Sequence, residues 1–188
     1  MWLFRSGEDG LPPIVLYHYT ETRARYNAVD FLDGFSDGYL ETDGYRGYNN
    51  LPGIRRCSCG AHTRRYFIDA VPKGKQYDYS NPAVQGVQFC SKLFEYERRS
   101  QNKKHSFEQR KAYRLEKEKQ ILDAFWSWLD EQKPRKGSRF ETAVKYAQNR
   151  KDTLMTYLLE HRPSEDMLDE QLEALTPWSK EVQNVCKN

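Results

Sequence analysis

The chain has 188 residues, enough for one domain of ordinary size or for one core with an appended helical part. Hydrophobic residues make up only 38% and aromatics 14%, so much of the apolar material is Tyr, Trp and Phe, which suit a surface that meets a partner. A net charge of +3 excludes a global field that would announce nucleic acid, and no long apolar run or signal-like stretch supports a membrane span or secretion.

The expected location is therefore the cytoplasm, where Cys57, Cys59, Cys90 and Cys186 stay as thiols. Charge is local instead. Basic groups gather in IRRCSCGAHTRRYF, ERRSQNKKHSFEQRKAYR and KPRKGSR, which can face phosphates, whereas PSEDMLDEQLEALTPW is acidic.

Trp2 to Phe4 read as a first strand and Ile14 to Tyr19 as a second, joined as a hairpin by the turn-forming SGEDGLPP. Ile14, Leu16 and His18 alternate with Val15, Tyr17 and Tyr19, so the second strand is expected to be covered on both faces. Thr22 is placed to cap a helix through Arg25, Tyr26, Val29 and Leu32, with Gly34 at its end and Tyr26, Val29 and Leu32 packed on the sheet. Tyr39, Leu40 and Thr42 form a strand that delivers Asp43 to its carboxyl end, where Gly44 allows a sharp turn. The same residues also read as an ordinary Asp-Gly turn closing a strand.

A loop with Tyr45, Tyr48, Asn49, Asn50 and Pro52 leads to a fourth strand, Ile54 to Cys57, and then to a helix in AHTRRYFIDAV with Tyr66, Phe67 and Ala70 inward. From Gln85 the chain reads as helix, first with Phe89, Leu93 and Tyr96 on one stripe. A long helix from Ser106 to Glu131 follows, with Leu115, Leu122, Phe125 and Leu129 at helical spacing and Ile121 and Trp128 broadening the face. Pro134 ends it. Ser138 and Glu141 form a capping box for a helix through Val144, Ala147 and Leu154, and Thr176 with Pro177 starts another short helix.

The runs PPIVLYHYTETR, FLDGFSDGYLETDGYRGYNNL and CSCGAHTRRYF, in that order, resemble the catalytic region of bacterial insertion sequence 66 family transposases. FCSKLFEYE, ILDAFWSWL and RFETAVKYAQNRKDTLMTYL look like the family's helical insertion and the helix after it, so the resemblance covers nearly the whole chain. It implies an RNase H-like fold and an Asp-Asp-Glu site holding two Mg²⁺, with Asp43 as the second carboxylate. The chemistry so implied is in-line attack by water, then by a DNA 3′ hydroxyl, on phosphodiesters. The family's first Asp lies upstream of the strand with which this chain begins, and the segment carrying its Glu is missing at a join near Tyr157 and Leu158. Glu160, Glu165 and Asp166 read as solvated charges beside a helix boundary and are not assigned as substitutes.

The expected architecture is α/β: an incomplete RNase H-like mixed sheet with helices over 1–84, a helical insertion and following helix over 85–160, and a tail over 161–188. The expected function is that of a transposase-derived protein which does not catalyse transposition alone. The alternative is a non-catalytic module that binds DNA or an intact transposase and interferes with it. Arg55, Arg56, Arg64 and Arg65, with His62, Tyr45 and Tyr48, are the candidate contacts to transposon-end DNA, as phosphate ligands interleaved with stacking rings. Partly buried thiols and core tyrosines are the alternative reading of these stretches. Zinc on Cys57, Cys59 and His62, with Cys90 as a fourth ligand, is disfavoured because C-x-C is tighter than the usual knuckle and no second pair follows.

Overall fold

The computed structural model describes residues 1–7, 12, 14–35 and 38–159. The expected helix at Thr176 and Pro177, and Glu160, Glu165 and Asp166, lie outside the described residues. Strands and helices are mixed, as the α/β expectation has it. Among the described residues the strands form two separate two-stranded sheets, one of β1 (Trp2–Arg5) with β2 (Val15–His18), the other of β3 (Gly38–Thr42) with β4 (Ile54–Ser58). The described residues divide into two units: Met1–Leu40 with Tyr45–Arg56, and Glu41–Gly44 with 57–159. No helix among the described residues is long and apolar enough to cross a membrane.

In the first unit β1 and β2 are an antiparallel hairpin in which Trp2 faces His18 and Leu3 faces Tyr17. Trp2 is buried, stacks edge-on with Tyr48 and donates its indole N–H to Thr20 Oγ1 at 2.8 Å. The burial of an indole is tolerable because that N–H is satisfied. Helix α1 (Arg25–Phe31) lays Phe31 flat on Phe4, with ring centroids 4.6 Å apart, and buries Asn27 and Ala28. Only one face of the hairpin is covered, contrary to expectation: Leu3, Val15 and Tyr17 are exposed, the last by 67%. The helix, too, turns differently from its predicted face. Tyr26 is 59% exposed, and Ala24 rather than Thr22 is the N-cap, without a side-chain cap. Thr22 serves instead through its carbonyl, which accepts from Thr20 Oγ1 and Asn27 Nδ2. Gly34 follows the helix with φ +82°, the left-handed conformation expected after a C-terminus.

The second unit is a helical layer. Helix α2 (Gly60–Ala70) packs on α3 (Pro82–Asn102) and on α6 (Arg139–Gln148). Asn81 caps α3 by accepting from the Ala83 N–H, and Pro82 occupies the first turn, where its missing N–H costs nothing. Phe67 of α2 is fully buried among the rings of Phe125, Trp128 and Phe140. The close approach of α3 depends on Gly86, where a Cβ would stand 2.4 Å from Phe67 Cδ1.

The long helix expected from Ser106 to Glu131 divides into α4 (Phe107–Tyr113), a π-helical turn (Arg114–Glu118) and α5 (Lys119–Glu131). Ser106 and Gln109 close a reciprocal capping box at its start. The wider turn changes the phase of the helix, so Leu115 is 42% exposed instead of joining the apolar stripe, and Arg114 and Glu118 point inward. The helix predicted through Val144, Ala147 and Leu154 also breaks: α6 ends at Gln148, and Leu154 belongs to a separate short helix, α7 (Lys151–Met155).

Arg114 donates Nε and Nη2 to the two oxygens of Glu97, at 2.6 and 2.9 Å, and Nη1 to the Tyr157 carbonyl at 3.0 Å. Glu118 is fully buried and accepts the Tyr157 hydroxyl at 2.9 Å. Burial, and then the negative charge of Glu97, push the Glu118 carboxyl up to about 8. Burial also works against the Glu97 anion, but the bonds and charge of Arg114 bring its pKa below the ordinary value.

Two outcomes follow from this packing. Gly→Ala within a helix ordinarily stabilises by roughly 0.5–1 kcal/mol. At Gly86 the added methyl meets Phe67, so Gly86→Ala should lose about 1–3 kcal/mol in urea unfolding. A variant at least as stable as the parent would refute the close approach. The second concerns pH. The folded pKa of Glu118 lies above its ordinary 4.5, so the stability it contributes is complete below about 4.5 and is lost as pH rises through about 8. Glu118→Gln, neutral throughout, should therefore gain on the parent as pH rises across that interval, and stability curves that stay parallel would contradict it.

Candidate nucleic-acid interface and carboxylate site

Asp43 stands immediately after β3, half-buried, as the strand reading requires. The backbone beyond β3 is tied down twice. The Cys59 N–H donates to the Thr42 carbonyl at 2.9 Å, and Arg150 Nη2 donates to the Gly44 carbonyl at 3.0 Å. Gly44 does not adopt a left-handed conformation. Its role is a close approach: a Cβ there would lie 2.6 Å from Arg150 Nη2 and 2.9 Å from the Tyr146 hydroxyl. The Arg150 guanidinium in turn lies over the Tyr146 ring, 3.8 Å from its centroid, and Tyr146 stacks on Tyr66 at 4.0 Å. Burial first, with Asp43 among the smaller causes, raises the Tyr146 phenol pKa.

Arg150 and Tyr146 were missed as neighbours of Asp43. They sit more than a hundred residues along the chain, and a motif around Asp43 carries no signal of them. The available clue was only that Tyr146 and Arg150 lie four apart near the end of a predicted helix, where side chains share a face.

The two units hold different parts of the predicted basic set. In the first, Arg55 is exposed and donates to the Tyr39 hydroxyl at 3.2 Å, with its guanidinium over the Tyr39 ring. Arg56 is half-buried and donates to Asn49 Oδ1. Tyr45 and Tyr48 are half-buried in the aromatic cluster around Trp2, and Tyr45 donates its hydroxyl to the Arg23 carbonyl. Arg23 lies over the Tyr45 ring at 4.5 Å.

In the second unit Arg65 is exposed on the first half of α2, while Arg64 is half-buried and donates Nε to Ser91 Oγ at 3.0 Å. His62 is in the first turn of the same helix, with Nδ1 buried and without a hydrogen-bond partner. Three of the four arginines thus donate to groups of the fold, and Arg55 and Arg65 are the two that are exposed.

Neither metal is served by a convergent ligand set: among the described residues no three His, Cys, Asp or Glu side chains come together. For zinc, the thiols are also in the wrong state. Burial, then the Glu41 carboxylate, raises the Cys59 pKa, and burial pushes Cys90 up to about 12, so both hold the proton a metal must displace. For Mg²⁺, Asp43 supplies carboxylate oxygens but has the Arg150 cation bonded at the next residue, and two hard ions need carboxylates from more than one residue. The described residues do not fit a two-metal centre, and no catalytic step is derived through one.

The chain is 31% identical over 103 residues to the uncharacterized protein y4jD of Sinorhizobium fredii (strain NBRC 101917 / NGR234), covering 50% of this chain and 19% of that protein. It is 28% identical over 137 residues to the uncharacterized protein y4hP of the same strain, covering 65% of this chain and 24% of that protein. The chain therefore spans at most 24% of the length of these two relatives. No solved structure matches it. A family model described as Transposase IS66 family matches residues 1–166. With that much of the chain matched in order, the protein belongs to the Transposase IS66 family.

Proposed function

We propose that this chain is a DNA-binding derivative of an IS66 family transposase, whose parent activity is DNA transposition by metal-dependent phosphoryl transfer. The observation that carries the reading is the family match over residues 1–166, which includes Asp43 at the carboxyl end of β3 and the basic segment that follows it. In this reading residues 1–84 derive from an RNase H-like catalytic core, 85–160 from the family's helical insertion, and 161–188 from its tail. Asp43 is the retained catalytic carboxylate and one ligand of a Mg²⁺ site that this chain does not complete alone.

DNA is held by charge. Arg55 and Arg56, and Arg64 and Arg65 with His62, contact phosphate oxygens, and Tyr45 and Tyr48 shape the loop that borders the contacts. Arg55 and Arg65 contribute most, because both are exposed. Phosphate contacts fix position and carry no sequence information, so the binding favours DNA over neutral polymers without strong sequence preference.

If four arginines each neutralise a phosphate, the logarithm of the binding constant should fall with that of salt concentration with a slope of about −3.6 on duplex DNA. Arg55→Ala with Arg65→Ala should bring that slope to about −1.8 in fluorescence anisotropy. Absent or salt-insensitive binding would remove the DNA reading. Mg²⁺-dependent nicking by the purified chain, lost in Asp43→Ala, would show that the catalytic site is complete after all.

A further inference from the structure

The second unit contains a cavity of about 280 Å³ that the DNA reading does not use. Leu93, Phe94, Leu122, Phe125, Trp126 and Leu154 make most of its wall apolar, and Glu97, Arg114, Glu118 and Tyr157 form its polar end. An apolar cavity of about 150 Å³ already holds benzene, so this one has room for a ring and a short chain.

The polar end is closed on itself. Arg114 donates to both oxygens of Glu97 and to the Tyr157 carbonyl, and the Tyr157 hydroxyl donates to Glu118. Glu118 holds its proton up to about 8 and hydrogen-bonds to Glu97, while Arg110, outside the lining, adds its charge to the same carboxylate. The Cys90 thiol in the wall is uncharged as well, since burial pushes it up to about 12. A charged ligand would therefore give up its hydration without finding a counter-charge. Water fares little better. Each buried water needs two or more polar partners, and the lining's hydrogen-bonding groups are largely spent on one another or, at Ser58, on Thr153. Thr63 Oγ1, buried in the same wall without a partner, is a single site and does not change that.

The wall also has an opening. Phe94 is its exposed ring, at 39%, and Gly60 lines the cavity beside it. A Cβ on Gly60 would meet only Phe94 Cζ, at 3.8 Å, so the missing side chain keeps the entrance clear.

We propose that this cavity is a binding site for a small uncharged aromatic molecule, its ring among Phe94, Phe125 and Trp126, admitted between Gly60 and Phe94. The site is independent of DNA binding and of Asp43.

The test is calorimetric titration of the full chain, without DNA, with 2-phenylethanol and, separately, with 2-phenylethylamine and phenylacetate, which attach a positive or a negative charge to a similar body. The alcohol should bind at least tenfold more tightly than either ion. In Gly60→Leu, whose side chain fills the entrance at ordinary contact distance from Phe94, binding of the alcohol should fall at least tenfold with thermal unfolding unchanged or raised. Similar affinity for the three probes, tighter binding of either ion, or binding of none would overturn the proposal. Undiminished alcohol binding in a folded Gly60→Leu would overturn the entrance. The comparison of probes in the parent chain stands even if the variant does not fold.

Discussion

Phe67 is the contact on which the larger unit depends. Its ring is fully buried, it touches aromatic side chains of α5 and α6, and α3 can reach it only because residue 86 has no side chain. Helices at such short separation exchange dispersion contacts along their whole length, and an interior at this density does not absorb an extra methyl group. The consequence for function is positional. His62, Arg64 and Arg65 lie two to five residues before Phe67 on the same helix, so the anchoring of that ring fixes where α2 presents its basic residues.

A second constraint operates at the other side of the same core. An apolar stripe along the chain from Ser106 to Glu131 meets two charged residues, Arg114 and Glu118, that a regular α-helix would distribute differently. The π turn brings both inward, where Glu97 and Tyr157 satisfy most of their bonds. Buried ion pairs of this kind contribute little net stability against apolar replacements, but removing one partner leaves an uncompensated charge. The geometry therefore acts more as a specification of register between α3, α5 and the Tyr157 segment than as a source of stability.

Much of this was legible from pattern. The hairpin, the strand before Asp43, the Ser138 cap and the inward face of α2 all follow from local rules of alternation, capping and helical spacing. What was not legible depends on distant partners. Leu115 fits a uniform helical period with Leu122 and Leu129, and only the pairing of Arg114 with Glu97, 17 residues away, favours the wider turn that turns Leu115 outward. A sequence signal did exist, since Arg114 and Glu118 fall eight and four residues before Leu122, on its own stripe. The uncovered face of the hairpin escaped for a related reason: alternation shows that both faces are apolar, but not whether anything lies on each. At the candidate site, residue types and Asp43's place at a strand end were readable, whereas its surroundings of Arg150 and Tyr146 were not.

The chain thus combines family membership over most of its length with a basic segment running from β4 into α2 and with Asp43 immediately after β3. The proposed binding to DNA rests on that basic segment. The most direct measurement is hydrogen–deuterium exchange of the full chain with and without duplex DNA. The account predicts slower exchange confined to residues 54–65 in the presence of DNA. Unchanged exchange there, or protection only along α5 and α6, would contradict it.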